Sequence, residues 1–159
     1  RQDLSKIMGT WYVIARMPNP VERGHVASRD EYTLVEDGKV AVRYRYREGF
    51  EEPEKEVNAR ASVDADSGNR DWRVWFYKVI PAKQRILEIA PDGSWMLISY
   101  PGRDLAWIFA RKPDMSRDQY RTLVNKMRDD YAIYTDKLKR VPQLPEQVGR
   151  LGFEVPDKR

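Results

Sequence analysis

Cysteine is absent from the 159 residues, which excludes disulfides, thiolate metal sites and a cysteine nucleophile. Histidine occurs once, as His25, and a lone histidine is more often a surface residue than a metal ligand or base. A haem-binding barrel would have His25 alone to offer as an axial ligand. No apolar run approaches the ~18 residues of a membrane-spanning helix, and no secretory leader opens the chain. A lipid-bearing N-terminal cysteine, if the gene encodes one, is expected upstream of Arg1. There is no glycine-rich phosphate loop, no metal-ligand grouping and no plausible triad. Asp64 and Asp66 read as turn residues, and Glu51-Glu52 as a loop charge run rather than an acid–base pair. No catalytic residue, metal or cofactor is therefore expected.

What remains is the composition of a folded single domain: 41% hydrophobic and 34% charged residues. The net charge is +4, but the 29 Lys and Arg are interspersed with 25 acids rather than clustered. That pattern reads as a solvated mixed-charge surface and not as a nucleic-acid interface.

Period-2 alternation dominates the first 111 residues. In Thr10–Met17, Trp11, Val13 and Ala15 share one face, with Tyr12, Ile14 and Arg16 on the other. Pro18 and Pro20 stop this strand. His25–Val35 is a second, with Ser28, Asp30, Tyr32 and Leu34 on one face. Asp37-Gly38 is a hairpin turn. The third strand has the clearest period: Val40, Val42, Tyr44 and Tyr46 alternate with a basic face carrying Arg43, Arg45 and Arg47. In the fourth, Val57, Ala59, Ala61 and Val63 face inward, and the small alanines leave interior space. Trp72–Ile80, Arg85–Ala90, Trp95–Tyr100 and Leu105–Arg111 complete eight strands joined by short turns. This predicts an all-β fold, an eight-stranded antiparallel up-and-down barrel around one small ligand.

The period then changes. Ser116, with Gln119 three residues on, reads as a capping box. Tyr120, Leu123, Val124, Met127 and Tyr131 form a helical stripe, predicting one α-helix over about 116–130 packed on the outside of the barrel. Thr135–Arg140 reads as a short ninth strand. The barrel domain spans 1–141, and 142–159 reads as an extended tail.

Two stretches resemble the lipocalin family, closest to its bacterial outer-membrane group. One is Gly9-Thr10-Trp11-Tyr12-Val13-Ile14-Ala15-Arg16 with Glu22-Arg23-Gly24. The other is Asp104–Pro113, ending in Arg111-Lys112-Pro113. The family's middle motif is faint, with Ala90 where an Asp is common. The resemblance implies a closed end built from Gly9, Trp11 and Arg111, the guanidinium stacking on the indole. It implies a carrier rather than an enzyme, whose partner is a small hydrophobic ligand such as a fatty acid or lysophospholipid. It also implies a bacterial envelope location, at the outer membrane or in the periplasm, with membrane association through a lipid anchor.

The wall expected to contact that ligand comprises Val13, Ala15, Asp30, Tyr32, Val42, Tyr44, Tyr46, Val57, Ala59, Val74, Phe76, Leu97, Trp107 and Phe109. Loops Met17–Gly24, Arg47–Glu54, Ile80–Gln84 and Tyr100–Arg103 would form the mouth. Arg23, Lys83 and Arg103 are its cations, and Phe50, Pro81 and Tyr100 its apolar rim. Asp30 and Lys78 share the inward phase and would pair with each other, meet a ligand head group, or sit in water at strand ends. Two rival functions are a barrel enzyme using Asp30, Lys78 and Tyr44, and an interaction module with a filled barrel and the basic face of Arg43, Arg45 and Arg47.

Overall fold

A computed structural model describes residues 2–76 and 81–159. A 3-10 turn, Leu4–Lys6, leads in, its end capped by Asp3. The strands are β1 Gly9–Arg16, β2 Val26–Glu36, β3 Lys39–Arg47, β4 Lys55–Val63, β5 Asp71–Trp75, β6 Ala82–Ile89, β7 Trp95–Ser99 and β8 Ala106–Ala110. Helix α1, Arg117–Tyr131, and a two-residue strand β9, Lys139–Arg140, follow. Each of β2 to β8 pairs antiparallel with its predecessor, and β8 pairs back onto β1, so the eight strands close on themselves. β9 adds a further two-residue pairing to β1. Lys78 lies outside the described residues, as does the end of the expected fifth strand. β6 begins at Ala82, earlier than the alternation suggests, because Ala82 and Gln84 sit opposite Val74 and Trp72.

Apolar residues sort into two clusters separated by the barrel wall. The inner one joins Ile7, Trp11, Val13, Val40, Val42, Ala59, Trp72, Val74, Ile86, Met96, Ile98 and Phe109. The outer one joins Ile14, Ala15, Leu97, Ile108 and Ala110 to Leu123, Met127 and Leu138. Helix α1 supplies the cover for that outer patch. Ser116 caps it, its hydroxyl accepting the Gln119 amide at 3.1 Å.

The two clusters correct two wall assignments and one outer-face assignment. The register between β1 and β8 slips between Val13 and Ala15. Val13 lies opposite Phe109 on the inside, Ala15 opposite Ile108 on the outside, and Arg16 opposite Trp107. The bulge inserts one residue and reverses the alternation beyond it. Ala15 thus belongs to the helix-covered face, and Arg16 is fully buried. Leu97 also faces outward: Met96 lies opposite Phe109 and Leu97 opposite Ile108. Trp95-Met96-Leu97-Ile98 is apolar throughout, since both faces of β7 are covered, so alternation gives it no phase.

Pairing of β1 with β2 ends at Tyr12 and Arg29. Above that point the chain after β9 fills the gap. The Val141 amide donates to Ile14 O at 2.8 Å, and the Ala27 amide to Pro142 O at 2.9 Å. Gln143 Nε2 donates to Val13 O and Ser28 O, both at 2.9 Å. These bonds satisfy buried backbone groups that the ladder leaves open. Further along, Glu154 Oε2 lies 2.8 Å from Arg16 Nε. The Asp157 amide donates to Gly24 O, the Lys158 amide to Glu48 O, and the Glu51 amide to Arg159 O. The tail is a strap that ties the β1–β2 loop to the β3–β4 loop.

The candidate ligand cavity

One end of the barrel is shut by aromatic side chains. Trp11 is fully buried and its Nε1 donates to Ile7 O at 2.8 Å. The Arg111 guanidinium lies over the indole, 3.8 Å from the ring centroid, and donates to Thr10 O, Lys6 O and Met8 O, each at 2.9 Å. Cation–π attraction and three charge-assisted bonds therefore hold the lead-in against the barrel floor. Gly9 makes room for this: its φ is +97°, and a Cβ there would sit 3.3 Å from Arg111 Nη1. Trp72 completes the floor, donating from Nε1 to Asn69 O at 3.0 Å.

Above the floor lies a cavity of about 500 Å³ opening toward the loops at the other end. That volume falls within the range of small-molecule sites. Asp30, Tyr32, Val42, Tyr44, Val74, Phe76, Trp107 and Phe109 line it, as the alternation expects. Of the other expected wall residues, Val13 and Ala59 belong to the inner cluster, but the lining does not include them or Val57. Tyr46 stacks on His25 with ring centroids 3.8 Å apart, outside the lining. Ala15 and Leu97 sit on the far side of the wall.

The lining also contains Asn19, Glu22, Gln84 and Leu105, which the alternation does not single out. Glu22 Oε2 accepts from Trp107 Nε1 and from Asn19 Nδ2, both at 3.0 Å. An inward indole N–H needs such an acceptor, and that is the signal by which Glu22 was findable. Tyr32 Oη donates to Asp30 Oδ2 at 3.4 Å and accepts from Gln84 Nε2 at 3.2 Å. Burial, reinforced by the Glu22 charge, pushes the Asp30 carboxyl up to about 8. Burial also raises the Tyr32 and Tyr44 phenols well above their ordinary value. His25 does not line the cavity. Its Nδ1 lies 2.9 Å from Tyr44 Oη, and burial together with the Arg16 charge lowers its pKa.

Among the rim cations, Arg103 stacks on Tyr100 at 5.1 Å. Lys83 borders the cavity but lies opposite Arg73, out of phase with inward-facing Ala82 and Gln84. The basic face of β3 is paired rather than bare: Arg43 with Glu56 at 3.1 Å, and Arg45 with Glu31 at 3.1 Å and Glu54 at 3.3 Å. Arg47 donates to Glu52 O at 2.7 Å.

Comparisons with known proteins agree with this architecture. A family model described as a lipocalin-like domain matches residues 2–143. Temperature-induced lipocalin-1 of Arabidopsis thaliana is 30% identical over 154 residues, covering 89% of this chain and 79% of the plant protein. Outer membrane lipoprotein Blc of Citrobacter freundii is 26% identical over 114 residues, covering 72% of this chain and 64% of its own length. Among solved structures, lobster apocrustacyanin A1 matches with a TM-score of 0.68 at 15% identity, covering 88% of this chain and 79% of its own. Insecticyanin from the tobacco hornworm Manduca sexta matches with a TM-score of 0.68 at 13% identity, covering 99% and 87%. A closed barrel with a plugged floor, a cavity above it and a family match over nine-tenths of its length make this chain a member of the lipocalin family.

Proposed function

We propose that this protein binds a hydrophobic small molecule reversibly in the barrel and carries or stores it without chemical change. The observation that carries the reading is the cavity itself: about 500 Å³, walled by Val42, Val74, Phe76, Trp107 and Phe109, above a floor closed by Trp11 and Trp72. An acyl chain entering it gains ~0.8 kcal/mol for each methylene removed from water, before ordering costs. A fatty acid or lysophospholipid fits that chemistry, with its head at the mouth near Arg103. A place in the bacterial cell envelope is supported by the relative named outer membrane lipoprotein Blc. The lipocalin of Arabidopsis shows that similar chains also occur in plants.

The test is displacement of a fluorescent fatty acid, paired with native mass spectrometry of protein purified without detergent. Bound lipid and saturable displacement are expected, with the lipid recovered unchanged. Val42→Trp fills the cavity from β3 and is expected to weaken uptake by about tenfold or more while keeping the β-sheet circular dichroism. A wild-type protein that takes up no probe and carries no lipid overturns the reading.

A further inference from the structure

Among the described residues, charge inside the cavity is of one sign. Asp30 and Glu22 line it, whereas the described cations at its border, Lys83 and Arg103, are exposed at the rim. The two acids differ in their surroundings. Glu22 receives the Trp107 and Asn19 N–H groups and lies 4.0 Å from Arg16 Nη1. Asp30 receives Tyr32 alone among the described residues, and no described cation pairs with it. Elsewhere in the interior the rule is kept: buried Arg16 meets buried Glu154 at 2.8 Å.

The hydrogen bonds around Asp30 have a direction. Gln84 donates to Tyr32, and Tyr32 donates to Asp30. The relay ends at the carboxylate, which receives the Tyr32 hydroxyl at 3.4 Å and lacks a positive partner among the described residues. The same wall presents the rings of Tyr32, Tyr44, Trp107 and Phe109 to the cavity. Aromatic faces and a carboxylate together suit an organic ammonium, which neutralises the charge while its carbon substituents pack on the rings.

We propose that the cavity takes an apolar ligand bearing an ammonium group, with Asp30 as its counter-ion and the Gln84–Tyr32 relay holding that carboxylate in place. This rests on the cavity being a ligand site and narrows what the site prefers. A carboxylate-headed ligand would be repelled from Asp30 and confined to the rim beside Arg103.

The test uses the full chain and a neutral fluorescent apolar probe, displaced in turn by dodecylamine, dodecanol and dodecanoate at mildly alkaline pH. The amine is expected to compete about tenfold better than the alcohol, and the acid worse than either. In Asp30→Asn, which keeps the shape and removes the charge, amine and alcohol should fall within about twofold of each other. Equal competition by amine and alcohol in the wild type overturns the proposal, and so does a preference that survives in Asp30→Asn. The wild-type comparison alone decides should the variant fail to fold. If the probe is not taken up at all, the carrier reading fails and this proposal with it. Uptake without charge preference sinks this proposal alone.

Discussion

The fold moves the ionisation of Asp30 far from its free value. Its carboxyl titrates near 3.8 when free and at about 8 in the barrel, because burial and then the Glu22 charge penalise the anion, against which Tyr32 helps little. Among the described residues Glu22 and Tyr32 are the titratable groups that act on it, with Gln84 the neutral donor behind Tyr32. Between those two values the unfolded chain has lost the proton and the folded one keeps it. Unfolding then releases a proton, so the stability contribution is full below about pH 4 and declines as pH rises toward 8. Asp30→Asn removes this slope. Its melting temperature should match wild type near pH 4 and exceed it by several degrees at pH 8, at about 2–4 °C for each ~1 kcal/mol. Parallel melting curves across that range would show that no proton is held there.

Asp30, Tyr32, Val42 and Tyr44 were legible in the sequence for one reason. Strands β2 and β3 have a wet outer face, so polar residues mark the phase and the inward positions follow. The strands under the helix offer no such contrast. At the level of elements, β1, β7 and β8 are apolar on both sides because α1 and the chain after it cover them. A bulge in β1 then turns Ala15 outward and Arg16 inward, an event that neither residue announces. The helix is structural in this arrangement, with Leu123 and Met127 buried against the outer wall. Leu123→Ala should cost about 2–5 kcal/mol of stability by chemical denaturation. Probe affinity should stay within about twofold, since the wall separates that cluster from the cavity. A large loss of affinity at full folding would mean that the helix shapes the pocket.

Over the whole molecule, the tail after Gln143 lies beyond the stretch matched by the family model, yet it reaches the mouth loops. Glu154 is 6% exposed and meets Arg16, which is 0% exposed. Glu154 also accepts from the Gly24 amide at 3.2 Å. Gly24 has φ +85° and lies against the Asp157 carboxylate, so glycine is the residue that permits both the turn and the approach. Glu154→Gln removes the nearer carboxylate and leaves Arg16 with Glu22 at 4.0 Å, which should cost about 1–3 kcal/mol. The loss should appear first as faster hydrogen exchange in residues 17–25 and 48–54, the two loops that the strap joins. A uniform loss over the barrel, with those loops no faster than the rest, would count against the strap.

The chain's alternation, its turn residues and the change of period at Ser116 are enough to specify eight antiparallel strands followed by one helix. The resemblance of its two end motifs to the lipocalin family also pairs Trp11 with Arg111, whose guanidinium the structure places 3.8 Å from the indole centroid. These features depend on neighbours in sequence or on the fixed geometry of a closed sheet, so one chain suffices to show them. The tertiary structure alone decided which way β1 and β7 face, where the tail docks, and that Asp30 stands in the cavity without a described cation beside it. Those outcomes depend on contacts between residues far apart in the chain, such as Arg16 with Glu154 and Asp30 with Gln84 behind Tyr32. No local period records such contacts, because burial is set by whatever element arrives to cover a face.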